Sequence, residues 1–191
     1  MVYLASTTEA NDLLERNPFA LLVGMQLDQQ IPMEKAFTGP AVLQDRMGLP
    51  FSASAVAELD PDVLTELCSR APAVHRFPRA AAGRLYTLAG RIVTDFDGDA
   101  ASLWLTSPSG AELVKRVASL PGFGPQKAKI FTALLAKQFD VKPRGWTAAA
   151  GDYAVKGYRS VADVVDEASL QKVRAYKKSV KAAAKAAQAG G

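Results

Sequence analysis

The sequence predicts an all-α fold. Apolar residues recur at helical spacing through most of the chain, and helix-start signals punctuate it: a Ser or Asp cap followed by Glu or Pro. No stretch alternates apolar and polar residues as a half-buried strand would. Of the 191 residues, 49% are hydrophobic, enough for a real core. The chain at 1–191 therefore reads as one domain, compact or split into two small lobes around one cleft, and no internal repeat divides it.

The elements follow in order. Ser6 with Glu9 fits a capping box and opens a short helix through Asn11, Leu13, Leu14 and Glu15, which Asn17-Pro18 breaks. Phe19 to Gln29 is a helix apolar around most of its girth, hence central, until polarity returns in Gln26-Leu27-Asp28-Gln29-Gln30-Ile31-Pro32. Pro32 starts another helix, interrupted at Gly39-Pro40 and resumed to Gly48. Ser52 or Ser54 caps a short helix. Asp60-Pro61, a cap followed by proline at the first helical position, starts one over Asp62 to Arg70. Pro78 opens a long helix that turns Leu85, Leu88, Ala89, Ile92 and Val93 inward and leaves Arg79, Arg84 and Arg91 wet. It ends near Phe96, at Asp97-Gly98-Asp99. Ser109 with Glu112 forms a second capping box. Asp140 to Tyr158, with Pro143, Gly145, Gly151 and Gly157, reads as a long loop of a length that often carries function. Ser160 caps the closing segments, which run through Val161 and Leu170 into a basic helical tail at about 170–191.

The most informative stretch is Leu120-Pro121-Gly122-Phe123-Gly124-Pro125-Gln126-Lys127-Ala128-Lys129. One helical pattern enters it through Leu113, Val114 and Val117; another leaves through Ile130, Phe131, Leu134 and Leu135, so the whole unit spans 113–138. Gly122 and Gly124 permit positive φ and close backbone approach, and Pro125 suits the first turn of the second helix. The free N–H groups and positive dipole end at such a turn seat one phosphate, with Lys127 and Lys129 adding mobile charge beside it. A lone G-x-G in this setting also serves as a plain helix–helix turn.

Charge agrees with an anionic partner. The formal net charge is +4, the isoelectric point is about 9.2, and Lys115 to Arg144 holds seven Lys or Arg against one acid, Asp140. With Cys68 and His75 the single residues of their kinds, an internal disulfide, an iron–sulfur cluster and a zinc site are all excluded as readings. No metal and no cofactor is expected. The chain has no membrane-length apolar run, and Met1-Val2-Tyr3-Leu4-Ala5-Ser6 lacks the pattern of a signal peptide, so a cytoplasmic location, nucleoid-associated in a bacterium, is expected.

The ten-residue string resembles the L-P-G-[apolar]-G-x-x-x-A hairpin of the helix-hairpin-helix (HhH-GPD) DNA-repair glycosylases. Two further stretches agree. Phe19 to Val23 leading to Leu27-Asp28-Gln29-Gln30-Ile31 resembles the apolar helix ending in L-x-Q-Q-I-S of alkyladenine-type members, where endonuclease III-type members carry L-S-A-Q. Arg79 to Val93 resembles the family helix that precedes the approach to the hairpin. Together these cover about Pro18 to Asp140. The resemblance implies a two-lobed helical fold binding double-stranded DNA across its cleft as a monomer, with one base flipped out and excised without a metal or cofactor.

Roles follow residue by residue. Gly122, Phe123, Gly124, Gln126, Lys127 and Lys129 would bind DNA backbone, positioning without reading sequence. Gln29 or Gln30 would fill the vacated space, an amide replacing lost pairing, although both also read as ordinary polarity at a helix end. Lyase members carry Lys two residues beyond the second hairpin glycine; here that position is Gln126. Lys127 follows it, turned about 100° away on the helix, so a monofunctional enzyme without strand cleavage is implied. The family stabilises its oxocarbenium-like state with an Asp about twenty residues beyond that position, a count that reaches Trp146. Asp152 ranks first because it follows a Gly/Pro-rich loop, Asp140 second, and Asp28 after them for its place beside the wedge. Trp146, Tyr153 and Tyr158 are candidates to stack on the extruded base or to anchor their loop. Arg174, Lys178, Lys181 and Lys185 share one side of the tail, as a solvated helix end or an auxiliary contact to DNA. Two rivals remain: a non-catalytic DNA-binding or damage-recognition protein, and a protein-interaction module whose hairpin merely turns the chain.

Overall fold

The computed structural model describes residues 2–189, and the fold is all-helical, with no strand among the described residues. Its α-helices are α1 (Thr8–Arg16), α2 (Pro18–Leu27), α3 (Met33–Met47), α4 (Ala53–Ala57), α5 (Pro61–Ser69) and α6 (Pro78–Phe96), then α7 (Ser102–Leu105), α8 (Gly110–Ala118), α9 (Pro125–Gln138), α10 (Trp146–Ala150) and α11 (Glu167–Ala189). Two 3₁₀ turns, Gly151–Tyr153 and Val161–Asp163, lie between α10 and α11.

Packing falls into two sets joined by one continuous core. Helix α2 lies against α1 and α3, and α6 against α4 and α5; later in the chain α8, α9 and α10 pack on one another. Helix α2 sits between the sets. Residues Phe19 to Leu27 are buried on every side, which is why the sequence shows no polar face there. Asn17 begins the helix by accepting from the N–H of Ala20 while its amide donates to the Phe51 carbonyl.

Several boundaries differ from the sequence expectation. The first cap is Thr7, which accepts from Ala10 N–H, while the Ser6 N–H donates to Thr38 Oγ1. Helix α2 stops at Leu27 instead of Gln29, because Ile31 precedes Pro32 and the chain must leave helical geometry before that proline. Gly39-Pro40 does not interrupt α3. A Cβ on Gly39 would lie 2.6 Å from Leu27 Cδ1, so intimate packing on α2 carries the helix through its proline. The loop expected over 140–158 contains α10, whose five residues are too few to display a period. Ser52, Asp60, Ser109 and Ser160 cap as expected.

Helix α9 carries the hairpin into the core. Phe131 meets both Trp104 and Phe123 edge-on, with centroids 5.9 and 6.1 Å apart. Phe123 is thereby a buried plug that fixes the hairpin tip. The chain returning to α11 is tied to the far end of α9. Lys137 reaches the Val155 carbonyl and Asp163, and Gln138 donates to the carbonyls of Val161, Ala162 and Val164. Those bonds fix the level at which the 151–153 turn meets the start of α9.

Candidate functional site

The hairpin's two glycines do different things. Gly122 has φ +81°, and a Cβ there would come within 2.9 Å of Gln26 Cγ, so both its conformation and its space demand glycine. Gly124 is extended, with φ −113° and ψ 177°, and a Cβ would meet no atom within 4 Å. Its surroundings are open solvent. Helix α9 has Pro125 in its first turn and no side-chain cap, so the N–H groups of Gln126 and Lys127 face outward without intrahelical partners. Lys129 is exposed beside them.

Lys127 differs from the mobile surface charge expected of it. Its Nζ donates to the Gln26 carbonyl at 2.8 Å and the Gly122 carbonyl at 3.3 Å, and lies 5.4 Å from the Phe123 ring centre. Gln26, buried, donates from Nε2 to the carbonyls of Pro121 and Arg84. Lys127 and Gln26 therefore bolt the hairpin onto the C-terminal end of α2. Burial pushes the Lys127 ammonium down to about 8, aided by Arg84 and opposed by Asp28. Asp28 in turn is pushed up from the usual carboxylate range by burial and by Glu34, while Lys177 and Lys127 pull it back. Asp28 lines a cavity of about 280 Å³ with Glu34, Arg174 and Lys177.

A larger cleft, about 380 Å³, opens between the start of α9, the 151–153 turn and α11. Gln126 and Asp152 both line it. Gln126 Nε2 donates to the Tyr153 hydroxyl at 2.8 Å, so the amide at the start of α9 touches the residue next to Asp152. Gly151, at φ +58° and ψ −131°, makes the turn that presents Asp152. Asp152 is exposed and makes no ion pair or side-chain hydrogen bond among the described residues.

The other candidates are dispersed. Asp140 ends α9 in a left-handed conformation, exposed and outside the cleft, its carboxyl held low by the hydrogen bond from Lys142. Trp146 packs its backbone against Gly110, where a Cβ would lie 2.4 Å from Trp146 Cα, and lines a different depression. It anchors its segment to α8. Tyr158 pairs with Lys172, whose Nζ lies 4.6 Å from the ring centre. Gln29 and Gln30 project into solvent, Gln30 with φ +60°.

His75 is a positioning residue that sequence reading used only to argue against zinc. Its Nδ1 accepts from the Phe77 N–H, so the ring proton is on Nε2 and is donated to the Gln29 carbonyl at 2.8 Å. The buried ring thus holds the Gln29-Gln30 turn against the exposed Phe77. Sequence reading also missed that α11 is a wall of the cleft. Tyr176, Val180 and Ala184 face it at i, i+4 and i+8, with Lys177 and Lys181 beside them. That stripe lies one residue around from the basic side traced from sequence, where Arg174 pairs with Glu34 and Lys178 and Lys185 are exposed. Its apolar spacing was visible; what it faces was not. No helix of the described residues is long and apolar enough to cross a membrane. Comparison with protein-family models, curated proteins and solved structures finds no match to this chain.

Proposed function

We propose that this chain is a monofunctional DNA glycosylase of base-excision repair, built on the two-lobed helix-hairpin-helix fold and acting on double-stranded DNA as a cytoplasmic monomer. The observation that carries the reading is the Gln126–Tyr153 hydrogen bond, which closes the phosphate-facing end of α9 onto the turn bearing Asp152. A backbone phosphate seated on the N–H groups of Gln126 and Lys127, with Lys129 beside it, sets the strand against the cleft. Gln29 or Gln30 fills the space left by the extruded base, at a cost in unstacking that is least for damaged or mispaired bases. Cleavage sends the glycosidic electron pair out with the base and leaves positive charge on the sugar, which Asp152 opposes with its negative charge; one water then bonds to C1′, leaving a hydroxyl there and its proton for the departing base. Gln126 has no nucleophilic amine, so the sugar–phosphate backbone stays intact.

Asp28 is the alternative carboxylate, favoured by its enclosure between Lys127 and Lys177. The rival reading, a non-catalytic damage-recognition protein, draws on Asp152 having no partner to orient it. The test is a panel of duplexes carrying alkylated, deaminated, oxidised and mispaired bases, assayed for free base and for strand breaks with and without alkali. Base release with breaks only after alkali supports the proposal. Tight lesion binding without release supports the rival, and no salt-dependent binding to any duplex refutes both.

A further inference from the structure

Helix α11 stands off the body in an unusual way. Leu170 and Val173 are buried, but every side chain from Arg174 to Ala187 is exposed. Its apolar stripe nevertheless faces the protein across the cleft: Tyr176 is 37% and Val180 49% exposed, opposite Ile130 and Tyr153. An amphipathic helix ordinarily closes such a gap by packing. Here it stays open, and both sides of the opening carry cations. Lys129 and Arg159 come from the body, Lys177 and Lys181 from the helix, and Asp152 is the one acid among the described lining residues. The Arg159 guanidinium lies 5.8 Å from the Tyr176 ring centre, which steadies that ring at the cleft's edge.

Apolar side chains on facing walls, a surplus of cations and a single carboxylate in a cleft of about 380 Å³ together match one occupant: a nucleotide still joined to its strand, its base between the walls and its flanking phosphates on the cations. We propose that α11 is the outer wall of the base pocket, with Tyr176 stacking on the extruded base and Lys177 and Lys181 holding the phosphates that flank it. The proposal rests on the glycosylase reading and adds the residues that would hold the base and its phosphates in place. Tyr176 is a binding residue and takes no part in bond cleavage.

The test compares a duplex bearing a central mismatched 2-aminopurine with the same duplex bearing a tetrahydrofuran abasic analogue, which has no base to stack. Wild type should bind both. Tyr176→Ala should bind the 2-aminopurine duplex about tenfold more weakly, on the scale of one base–aromatic stack, and the abasic duplex as wild type does; Tyr176→Phe should restore wild-type affinity for the 2-aminopurine duplex. The double variant Lys177→Gln/Lys181→Gln should weaken binding to both and flatten the slope of log affinity against log salt by about two units. All these positions are exposed, so helicity by circular dichroism should not change. Equal affinities of Tyr176→Ala and wild type for the base-bearing duplex, or an unchanged salt slope in the lysine variant, overturn the role of α11 while leaving DNA binding intact. Failure of wild type to bind either duplex at low salt overturns the DNA reading itself.

Discussion

Substituting the two hairpin glycines should separate folding from DNA binding. Gly122→Ala puts an L-residue at φ +81°, a cost of roughly 1–2 kcal/mol. Its Cβ would also stand 2.9 Å from Gln26 Cγ. Gln26 can retreat only by loosening its bonds to the Pro121 and Arg84 carbonyls, each worth roughly 0.5–1.5 kcal/mol. The sum is about 2–5 kcal/mol, or a fall in Tm of about 4–20 °C for a domain of this size. Gly124→Val differs in every term: the backbone is already extended and no atom lies within 4 Å. Its stability should fall by less than about 1 kcal/mol, the penalty of Val at a helix cap. The added side chain would occupy the space in front of the free N–H groups of α9, where the proposed reading seats a phosphate. Duplex affinity should drop about tenfold for every sequence alike, and the salt slope should flatten by about one unit. Thermal unfolding and fluorescence anisotropy on a labelled duplex at two salt concentrations measure both effects. A Gly124→Val protein that folds normally and binds DNA like wild type would remove the hairpin from the interface.

Ionisation around the bolt makes stability depend on pH. Lys127 titrates near 8 in the fold against 10.5 in its ordinary state; between those values the unfolded chain holds a proton the native one has lost, so its contribution to stability rises with pH. Denaturant titrations at pH 7.5 and 10 should show that gain in wild type relative to Lys127→Met, and equal pH dependence in the two proteins would contradict the burial of Nζ. Asp28 works in the opposite sense: raised in the fold, it lowers stability as pH climbs from its ordinary value of 3.8 through the native one. Asp28→Asn should remove that acid-side loss in the same titration. Burial pushes the Cys68 thiol up to about 11, so Ellman's reagent at pH 8 should label it only as fast as the protein unfolds, and rapid labelling of folded protein would refute its enclosure. On the proposed reading, borohydride should trap no covalent adduct with lesion DNA because the Gln126 amide has no nucleophilic amine; a trapped adduct absent in Lys127→Met would assign the chemistry to its neighbour.

Local chemistry made the helices legible. Asp60-Pro61, Ser109 and Ser160 announce helix starts within one or two residues, and the girdle of apolar side chains from Phe19 to Leu27 could only be a central helix. The hairpin was legible for the same reason, since Gly122 and Pro125 are dictated by backbone geometry. What escaped was set by distant partners. Thr7 takes the first cap, its Oγ1 accepting from Ala10 N–H, while the Ser6 backbone N–H is held by Thr38, far along the chain. Lys127 reads as a surface cation until Gln26 is seen to offer it a carbonyl, and His75 reads as isolated until Gln29 arrives against it. The candidate residues were legible singly and their grouping was not. Gln126, Asp152 and Tyr153 line one cleft, whereas Trp146 and Asp140 lie elsewhere, and the cleft wall from Tyr176 to Ala184 could not be assigned before its neighbours were known.

Base release itself tests the central claim most directly. With enzyme in excess over a lesion duplex that wild type processes, a single-turnover time course reports glycosidic bond cleavage without product release. Asp152→Asn keeps the side chain's size and removes its charge from an exposed turn that makes no other side-chain bond, so stability and duplex affinity should match wild type. Release should slow by about a hundredfold or more, the scale for losing one group that stabilises developing charge. Base release at full rate by Asp152→Asn would contradict the account, and if Asp28→Asn were then inactive the charge would belong to the neighbouring cavity.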